Sequence, residues 1–240
     1  MAVSVCVVVP VKDEAENIAP LVREIAHALS GEEFEIVTVD DGSTDGTAET
    51  LLALKNEVPQ LRVVQHGRNI GQSRGVRTGV RAARAPIIAT IDGDGQNDPA
   101  DIPKLLKELR AHDPATVGMV SGVRKQRMDD ANKRWASGFA NAFRRWMLND
   151  QAVDSGCGLK VFYRDLFLSL PFFDNMHRFL IALAFREGYQ VRFVEVGHRP
   201  RQHGVSKYNN IQRAIVGLVD TFGVRWLQTR FKGAVTPKEL

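Results

Sequence analysis

Residues 86–99, with the sequence PIIATIDGDGQNDP, form a short apolar run that ends in acidic residues and glycine. Ile87 to Ile91 is rich in β-branched side chains and too short for a buried helix, so it predicts an interior strand. Asp92 and Asp94 are two residues apart on an extended backbone, so both carboxylates can reach one cation. With the amide oxygen of Gln96, these hard oxygen donors suit Mg²⁺ or Mn²⁺ that carries a substrate phosphate.

The two aspartates also admit a purely structural interpretation. Acidic residues at the carboxyl end of a strand can simply form a turn, and Asp98 before Pro99 has the pattern of a helix N-cap and first helical residue. An Asp-x-Asp pair by itself does not separate a metal site from a turn. The rest of the chain is needed to choose between them.

Strand-like and helix-like segments alternate through residue 110. Residues 3–9, 34–39 and 61–65 are rich in β-formers, and the first of these segments is followed by apolar residues at helical spacing. Pro10 is expected to end the first strand. The alternation predicts an open parallel sheet, in which ligands bind at the carboxyl ends of the strands.

Three polar segments follow predicted strands and should meet in one crevice. They are residues 10–14, the pair Asp40-Asp41 and residues 92–96. The first strand is not followed by G-x-G-x-x-G, and no G-x-x-x-x-G-K-[ST] occurs in the chain, so NAD and P-loop nucleotide binding are both disfavoured.

The second half of the chain continues the α/β pattern. Further strands are expected at 116–121, 159–163 and 189–196. The helical segment 132–148 carries an aromatic stripe, interpreted as core, and the apolar face of the helix at 209–226 suits a membrane interface and docking on the sheet equally well. The aromatic stripe consists of Trp135, Phe139, Phe143 and Trp146.

Composition and charge limit the function classes. The chain has 240 residues, 44% of them hydrophobic, and contains two cysteines, which are expected to be free thiols. No run of 18 apolar residues and no signal-peptide pattern is present, so a cytoplasmic location is expected.

Residues 1–120 carry 12 Lys and Arg against 18 Asp and Glu, whereas residues 121–240 carry 20 against 10. The basic half suggests nucleic acid, a phosphorylated substrate or an acidic membrane as partner, unless it is merely a soluble basic surface.

Five motifs in order along the chain together resemble the inverting family 2 glycosyltransferases with the A-type (GT-A) fold. Within that family the chain is similar to the polyprenyl-phosphate glycosyltransferases typified by dolichyl-phosphate mannose synthase. The motifs are Val7-Val8-Val9-Pro10 with Glu14; Val39 to Thr47; Asp92 to Gln96; Asp154 to Lys160; and Arg201 to Lys207. Val11-Lys12 departs from the Tyr-Asn of many relatives, which leaves the base of the donor open.

The resemblance implies roles for individual residues. Pro10, Glu14 and Asp41 would hold the base and ribose of a nucleotide sugar. Asp92, Asp94 and Gln96 would gather the metal and diphosphate, while Arg201 and Lys207 would close over the phosphates. Among candidate contacts to an acceptor phosphate, Arg134 rests on its match to the family. Arg124 and Lys133 rest on position alone, with a solvated basic face as the alternative, and His177 and Arg178 are acceptor-side candidates for which capping or packing is an equal alternative.

The expected protein is a single domain over residues 1–228, with a nucleotide-sugar and metal half at 1–120, an acceptor half at 121–228 and a tail at 229–240. The expected reaction is metal-dependent transfer from GDP-mannose or a UDP-hexose to a polyprenyl phosphate, with peripheral contact to the inner face of the cytoplasmic membrane.

A soluble enzyme that adds sugar to a glycan hydroxyl in cell-envelope polysaccharide synthesis is the alternative. It would need a general base such as His177. A nucleic-acid-binding module is a lower alternative, because the aromatic residues are spaced as core residues rather than as stacking platforms. The oligomeric state stays open.

Overall fold

The computed structural model describes residues 3–124, 143–200 and 210–233, with residues 210–214 described as helix backbone only. Segments of strand and helix alternate along the chain as the sequence predicts. The strands are β1 Val5–Val11, β2 Phe34–Asp40, β3 Leu61–Gln65, β4 Ile87–Thr90, β5 Val117–Arg124, β6 Lys160–Tyr163 and β7 Gln190–Val196. The helices are α1 Ala15–Ala28, α2 Thr47–Leu54, α3 Gln72–Ala82, α4 Ile102–Arg110, α5 Arg164–Ser169, α6 Leu180–Arg186 and α7 Asn210–Arg230, with short 3₁₀ turns at Pro99–Asp101 and Met176–Arg178.

The strands form one sheet in the order β3-β2-β1-β4-β6-β5-β7. Strands β1 to β4 are parallel, β5 is parallel to β7, and β6 runs antiparallel to both of its neighbours. The predicted α/β fold, a mostly parallel sheet flanked by helices with a C-terminal helix, is confirmed. The carboxyl ends of β1, β2 and β4 therefore lie at one edge of the sheet.

Two strand boundaries differ from the sequence prediction. Pro10 does not end β1, which continues to Val11 beside β2. The β4 side of β1 is paired only as far as Val8, so the missing N–H of proline falls where the strand has one partner. Strand β5 likewise extends beyond residue 121 to Arg124, because β7 pairs with it along that whole length.

Alternate residues of β1 enter different cores. Val5, Val7 and Val9 face a core that also contains side chains from α1, α2 and α4. Cys6 and Val8 face a second core that contains side chains from α3, α5 and α6. A strand that is covered on both faces needs apolar residues at every position, which explains the nearly continuous run of valines.

Helix α7 docks on the protein through one face and exposes an apolar surface on the other. Val224 and Thr221 are buried, and Leu227 packs against the second core. The exposed side, called here the C-terminal apolar face, consists of Ile215, Leu218, Val219, Phe222 and Trp226. One face of α7 therefore docks on the protein, and the other is still available for the proposed contact with a membrane interface.

Part of the aromatic stripe was wrongly expected to be core. Residues 143–148 are helical, and Trp146 is 77% exposed. Phe143 packs against Trp146 and edge-on against Phe222 of α7, with ring centroids 6.1 and 6.3 Å apart. Trp135 and Phe139 lie outside the described residues. Helical spacing fixes which aromatic side chains share a face but does not decide whether anything covers that face.

In the described residues, no helix combines the length and the hydropathy required to span a bilayer.

Candidate active site

The loops after β1 and β2 are joined by hydrogen bonds at the carboxyl edge of the sheet. The backbone N–H of Asp13 donates to Ser43 Oγ at 2.8 Å, and that of Glu14 donates to Thr47 Oγ1 at 2.9 Å. Lys12 Nζ donates to the Gly42 carbonyl at 2.6 Å. Pro10 lies beside this joint with its carbonyl oxygen 3.1 Å from the position a Cβ would take on Gly93. The three polar segments that follow β1, β2 and β4 therefore meet in one crevice.

Asp41 anchors the loop that leads into α3. Its Oδ2 accepts a hydrogen bond from the Gly71 N–H at 2.7 Å, and its Oδ1 accepts one from Ile70 at 3.0 Å. His66 Nδ1 lies 2.8 Å from the same Oδ1. The carboxylate thus fixes the start of α3 relative to β2. Contact between Asp41 and a nucleotide stays a prediction, as it does for Pro10 and Glu14.

Asp92 is held between two elements from distant parts of the sequence. Gln72, the first residue of α3, donates from Nε2 to Asp92 Oδ1 at 2.7 Å. On another side Gly158 approaches so closely that a Cβ on it would lie 2.7 Å from Oδ1 and closer still to Oδ2. Thr90 Oγ1 donates to the Gly158 carbonyl at 2.9 Å and fixes this approach. The orientation of Asp92 is therefore set before any ligand binds.

The surroundings of Asp92 disfavour the ionised form of its carboxyl group. Burial and the neighbouring charge of Asp94 raise the pKa of Asp92 to about 6, although Lys160 and Arg124 act in the opposite direction. Lys160 is 3% exposed, and burial lowers its pKa. Its Nζ donates to the Cys157 carbonyl. Two close carboxylates are thus only partly compensated by the buried cation behind them.

The donor set fits a divalent cation that shares its coordination with a substrate. Within the parts of the chain that the structure describes, no group of three or more His, Cys, Asp or Glu side chains could hold a metal ion. Mg²⁺, however, is usually bound through one or two carboxylates, with waters and substrate phosphates completing its octahedron. The mutual repulsion of Asp92 and Asp94 is the kind of strain that a dication would relieve. The residues present therefore fit Mg²⁺ or Mn²⁺.

Asp92→Asn is expected to stabilise the metal-free protein at neutral pH. In the wild type this carboxyl has a folded-state pKa of about 6, against 3.8 for its ordinary value. It is protonated in both states below pH 3.8 and ionised in both above pH 6, so the full cost of burying its charge is present only above pH 6. The gain in free energy of unfolding should rise from roughly 0.5 kcal/mol at pH 4 to about 3 kcal/mol at pH 7.5.

Urea unfolding in the presence of a chelator, repeated at several pH values, measures this difference. Asp165→Asn serves as the matched control, because Asp165 is an exposed carboxylate in the first turn of α5. A gain for Asp92→Asn that is the same at pH 4 and pH 7.5 would contradict the predicted strain.

The segment after β7 is tied to the loop that carries Gln96. The Arg199 N–H donates to the Gln96 carbonyl at 2.8 Å, and its guanidinium pairs with Asp98 at 2.8 Å and Glu24 at 2.6 Å. Arg201 and Lys207, predicted to close over phosphates, follow shortly after in the sequence but lie outside the described residues. Among the described residues that precede them, Arg199 therefore lies directly beside the acidic loop.

The acceptor-side candidates have different surroundings. Arg124 forms a two-point ion pair with Asp154, at 2.7 and 2.9 Å, so the solvated-face interpretation is wrong for it. His177 Nδ1 lies 2.7 Å from Oγ of Ser73, the neighbour of Gln72 in α3. Arg178 interacts electrostatically with Asp220 of α7. Lys133 and Arg134 lie outside the described residues.

Sequence reasoning missed two residues of this site, Gln72 and Lys160. Lys160 is the last residue of a motif named above, but its role was not predicted. A lysine in an apolar run at the start of a strand is unusual, and this is a signal in the sequence. Gln72 carries no such signal, because its contact with Asp92 depends on how α3 packs across β1 and β2.

The fold and this site together define a glycosyltransferase with the A-type fold. The chain belongs to glycosyl transferase family 2, whose sequence profile matches residues 6–170. It is 34% identical over 231 residues to the dodecaprenyl-phosphate galacturonate synthase of Rhizobium johnstonii, covering 94% of this chain and 67% of that protein. It is 33% identical to the undecaprenyl-phosphate 4-deoxy-4-formamido-L-arabinose transferase of Pseudomonas fluorescens, covering 85% of this chain and 60% of that protein.

Solved structures with the same fold are more distant in sequence. Glucosyl-3-phosphoglycerate synthase from Mycobacterium tuberculosis, in complex with Mg²⁺ and uridine diphosphate, superposes with a TM-score of 0.72 at 19% identity, covering 92% of this chain and 79% of that chain. Mannosyl-3-phosphoglycerate synthase from Rubrobacter xylanophilus superposes with a TM-score of 0.71 at 19% identity, covering 99% of this chain and 79% of that chain. At this identity the likeness concerns the fold alone.

Proposed function

We propose that this chain is a metal-dependent inverting glycosyltransferase that moves a sugar from a nucleoside-diphosphate sugar, GDP-mannose or a UDP-hexose, to a polyprenyl phosphate at a membrane surface. The observation that carries the proposal is the pair Asp92 and Asp94, oriented at the carboxyl end of β4 in the crevice formed with the loops after β1 and β2. The names of the two relatives, both sugar transferases or synthases of prenyl phosphates, support the acceptor class.

In this proposal residues 1–120 bind the donor. Asp92, Asp94 and Gln96 hold Mg²⁺ or Mn²⁺, which when bound stabilises the negative charge of the departing diphosphate as a Lewis acid. Pro10, Glu14 and Asp41 hold the nucleoside, while Arg201 and Lys207 neutralise the diphosphate. Cationic groups in a site that excludes water are worth several kcal/mol of transition-state stabilisation.

The acceptor is bound by residues 121–228. A lipid phosphate is already ionised at neutral pH, so its oxygen can attack the sugar without a strong general base. Arg134 is the proposed phosphate contact. Arg124 is proposed to contact the same phosphate while paired to Asp154, and Arg178 belongs to the same half of the chain. His177 bonds Ser73 and therefore positions the start of α3 next to Gln72.

His177→Ala should reduce transfer to a polyprenyl phosphate less than about tenfold, because no proton has to be removed from an ionised acceptor. Initial rates with wild type and variant, at saturating donor, measure the effect. A loss of a hundredfold or more would instead favour a hydroxyl acceptor with His177 as the base.

The donor class can be tested by binding alone. A thermal-shift screen of GDP, UDP and dTDP with and without Mn²⁺ should show one nucleotide that raises the melting temperature, and only when the metal is present, because bound ligand stabilises the folded state by mass action. The donor so identified is then supplied with a polyprenyl phosphate and with a glycan acceptor. Transfer only to the glycan would overturn the acceptor assignment.

The proposed membrane contact is the C-terminal apolar face together with Trp146. Exposed cationic residues lie along the same part of the chain, namely Arg145, Arg225, Arg230 and Lys232. An apolar surface with cations nearby suits the interface of an anionic bilayer, where each Lys or Arg contributes about 1 kcal/mol. The contact would bring the acceptor half to the lipid that carries the phosphate.

Phe222→Glu is expected to weaken binding to vesicles that contain anionic lipid by about tenfold, because it replaces an exposed ring that would enter the bilayer interface by a charge that repels the headgroups. Leu52→Glu is the matched control, since Leu52 and Phe222 are 56% and 57% exposed and Leu52 belongs to α2. Sedimentation at low salt measures both, and added salt should weaken binding of the wild type. Equal binding by both variants, or no binding by the wild type, would count against the membrane contact.

A further inference from the structure

A cationic hollow, distinct from the acidic crevice, lies on the face of α3 that points away from the sheet. It has a volume of about 240 Å³, including the part open to solvent, and is lined by Arg77 and Arg81 of α3 and by apolar side chains that include Leu168, Phe172 and Met176. Gln72 and Ser73 of the candidate active site start the same helix. Arg77 and Arg81 follow one and two turns later, about 7 and 13 Å along the axis.

Arg77 of this hollow is held by an aromatic ring, unlike its neighbour Arg74, which is held by a carboxylate. Arg74 pairs with Asp174 at 2.9 Å. The Arg77 guanidinium instead lies over the ring of Phe172, 4.1 Å from its centroid. Among residues 3–124, 143–200 and 210–233, no acidic side chain forms an ion pair with Arg77 or Arg81. Within the described residues, their positive charges are therefore not balanced by a carboxylate in an ion pair.

Arg74, Arg77 and Arg81 also repel one another. Burial lowers the pKa of Arg77, and the charges of Arg81 and Arg74 lower it further. An arginine does not lose its proton in a protein, so the strain is relieved by an anion rather than by deprotonation. A guanidinium that is already stacked on a ring loses little further freedom when it donates two parallel N–H bonds to a phosphate.

We propose that the hollow lined by Arg77, Arg81 and Phe172 binds a phosphate group, supplied either by a small phosphate compound or by the headgroup of an anionic phospholipid. The arginines contact the phosphate oxygens, and Phe172 and the 40% exposed Leu168 contact the organic part of the ligand. The site is separate from the metal and donor crevice and does not depend on the proposed transfer reaction.

Titration with inorganic phosphate at constant ionic strength, followed by NMR of the arginine Nε–Hε groups, tests this assignment. The two signals that disappear in Arg77→Gln/Arg81→Gln should shift saturably in the wild type at millimolar phosphate and stay unchanged with chloride. Phe172→Leu keeps both charges and should weaken the phosphate affinity severalfold, so the test stands even if the double variant does not fold. Absence of saturable shifts at these two signals would overturn the proposal.

Vesicles distinguish the two sources of the phosphate. If the ligand is a headgroup, Arg77→Gln/Arg81→Gln should bind phosphatidylglycerol vesicles about tenfold more weakly than Arg84→Gln/Arg192→Gln. The control removes the same charge from two exposed arginines outside the hollow. If the two double variants bind vesicles equally while the phosphate shifts persist in the wild type, the ligand is a small phosphate compound. If Arg84→Gln/Arg192→Gln removes the phosphate-induced shifts of the Arg77 and Arg81 signals, the effect is one of net charge and the site is refuted.

Discussion

Asp94→Asn should reduce sugar transfer by about a thousandfold or more while leaving the protein folded. The substitution keeps the size of the side chain but removes one of the two negative charges that would hold the metal beside the departing diphosphate. Asp94 is partly exposed, and its Oδ1 accepts a hydrogen bond from the Gln96 N–H at 3.1 Å, which an amide oxygen can also accept. The loop should therefore keep its shape, and the effect should be confined to ligand binding and catalysis.

The measurement combines initial rates with the Mn²⁺-dependent thermal shift by nucleotide. Asp94→Asn should lose both, whereas Asp165→Asn should lose neither. Asp92→Asn should lose transfer to a similar extent although it stabilises the metal-free protein above pH 6, a combination typical of a charge retained for function at the expense of stability. Activity of Asp94→Asn within tenfold of wild type would show that the acidic pair does not bind a catalytic cation.

Gly158→Ala should disable the site through a single methyl group. The added Cβ would meet the carboxylate of Asp92 on one side, while the Thr90 hydrogen bond to the Gly158 carbonyl holds the backbone on the other. To relieve this clash, either the Asp92 side chain turns away or β6 shifts from β4, and a shift of β6 disturbs the sheet. Misplacing a catalytic group by about 1 Å commonly costs a hundredfold in rate. We expect at least that loss, together with roughly 2 kcal/mol of destabilisation from overpacking.

Gly67→Ala is the matched control, because no atom lies within 4 Å of the Cβ it would add. It should change the free energy of unfolding by less than about 0.5 kcal/mol. Urea unfolding and the Mn²⁺-dependent nucleotide shift separate the two effects expected for Gly158→Ala. If that variant binds metal and nucleotide like the wild type, the close approach of Gly158 does not set the orientation of Asp92.

Much of the fold was predictable because local patterns and tertiary packing agree. Runs such as residues 3–9 and 87–91 are apolar at every position, which suits strands that are covered on both faces. The prediction that Pro10 ends β1 was wrong. Whether a strand accepts a proline depends on which neighbouring strand is paired at that residue, and local sequence does not show this. Family membership also favours an enzyme over the nucleic-acid-binding alternative raised by the basic carboxyl half.

The candidate site was predictable to the extent that it follows strand ends. The acidic pair was found because it follows the apolar run of β4. Its partners, Gln72 and Gly158, come from α3 and from the turn before β6, and no periodicity in the sequence connects them to Asp92. The acceptor contact expected for Arg124 stays a prediction, and its ion pair with Asp154, thirty positions away in the chain, is a contact that local sequence does not show.

The amino-acid sequence by itself determined the order of strands and helices, the edge of the sheet at which polar groups collect, and the acidic pair suited to a divalent cation. Those properties follow from side-chain type and spacing along a continuous backbone. Only the tertiary structure decided how Asp92 is oriented, which cations lie behind it, and that one face of α7 stays uncovered beside Trp146. These depend on the packing of segments far apart in sequence, where small differences in distance change both sterics and electrostatics.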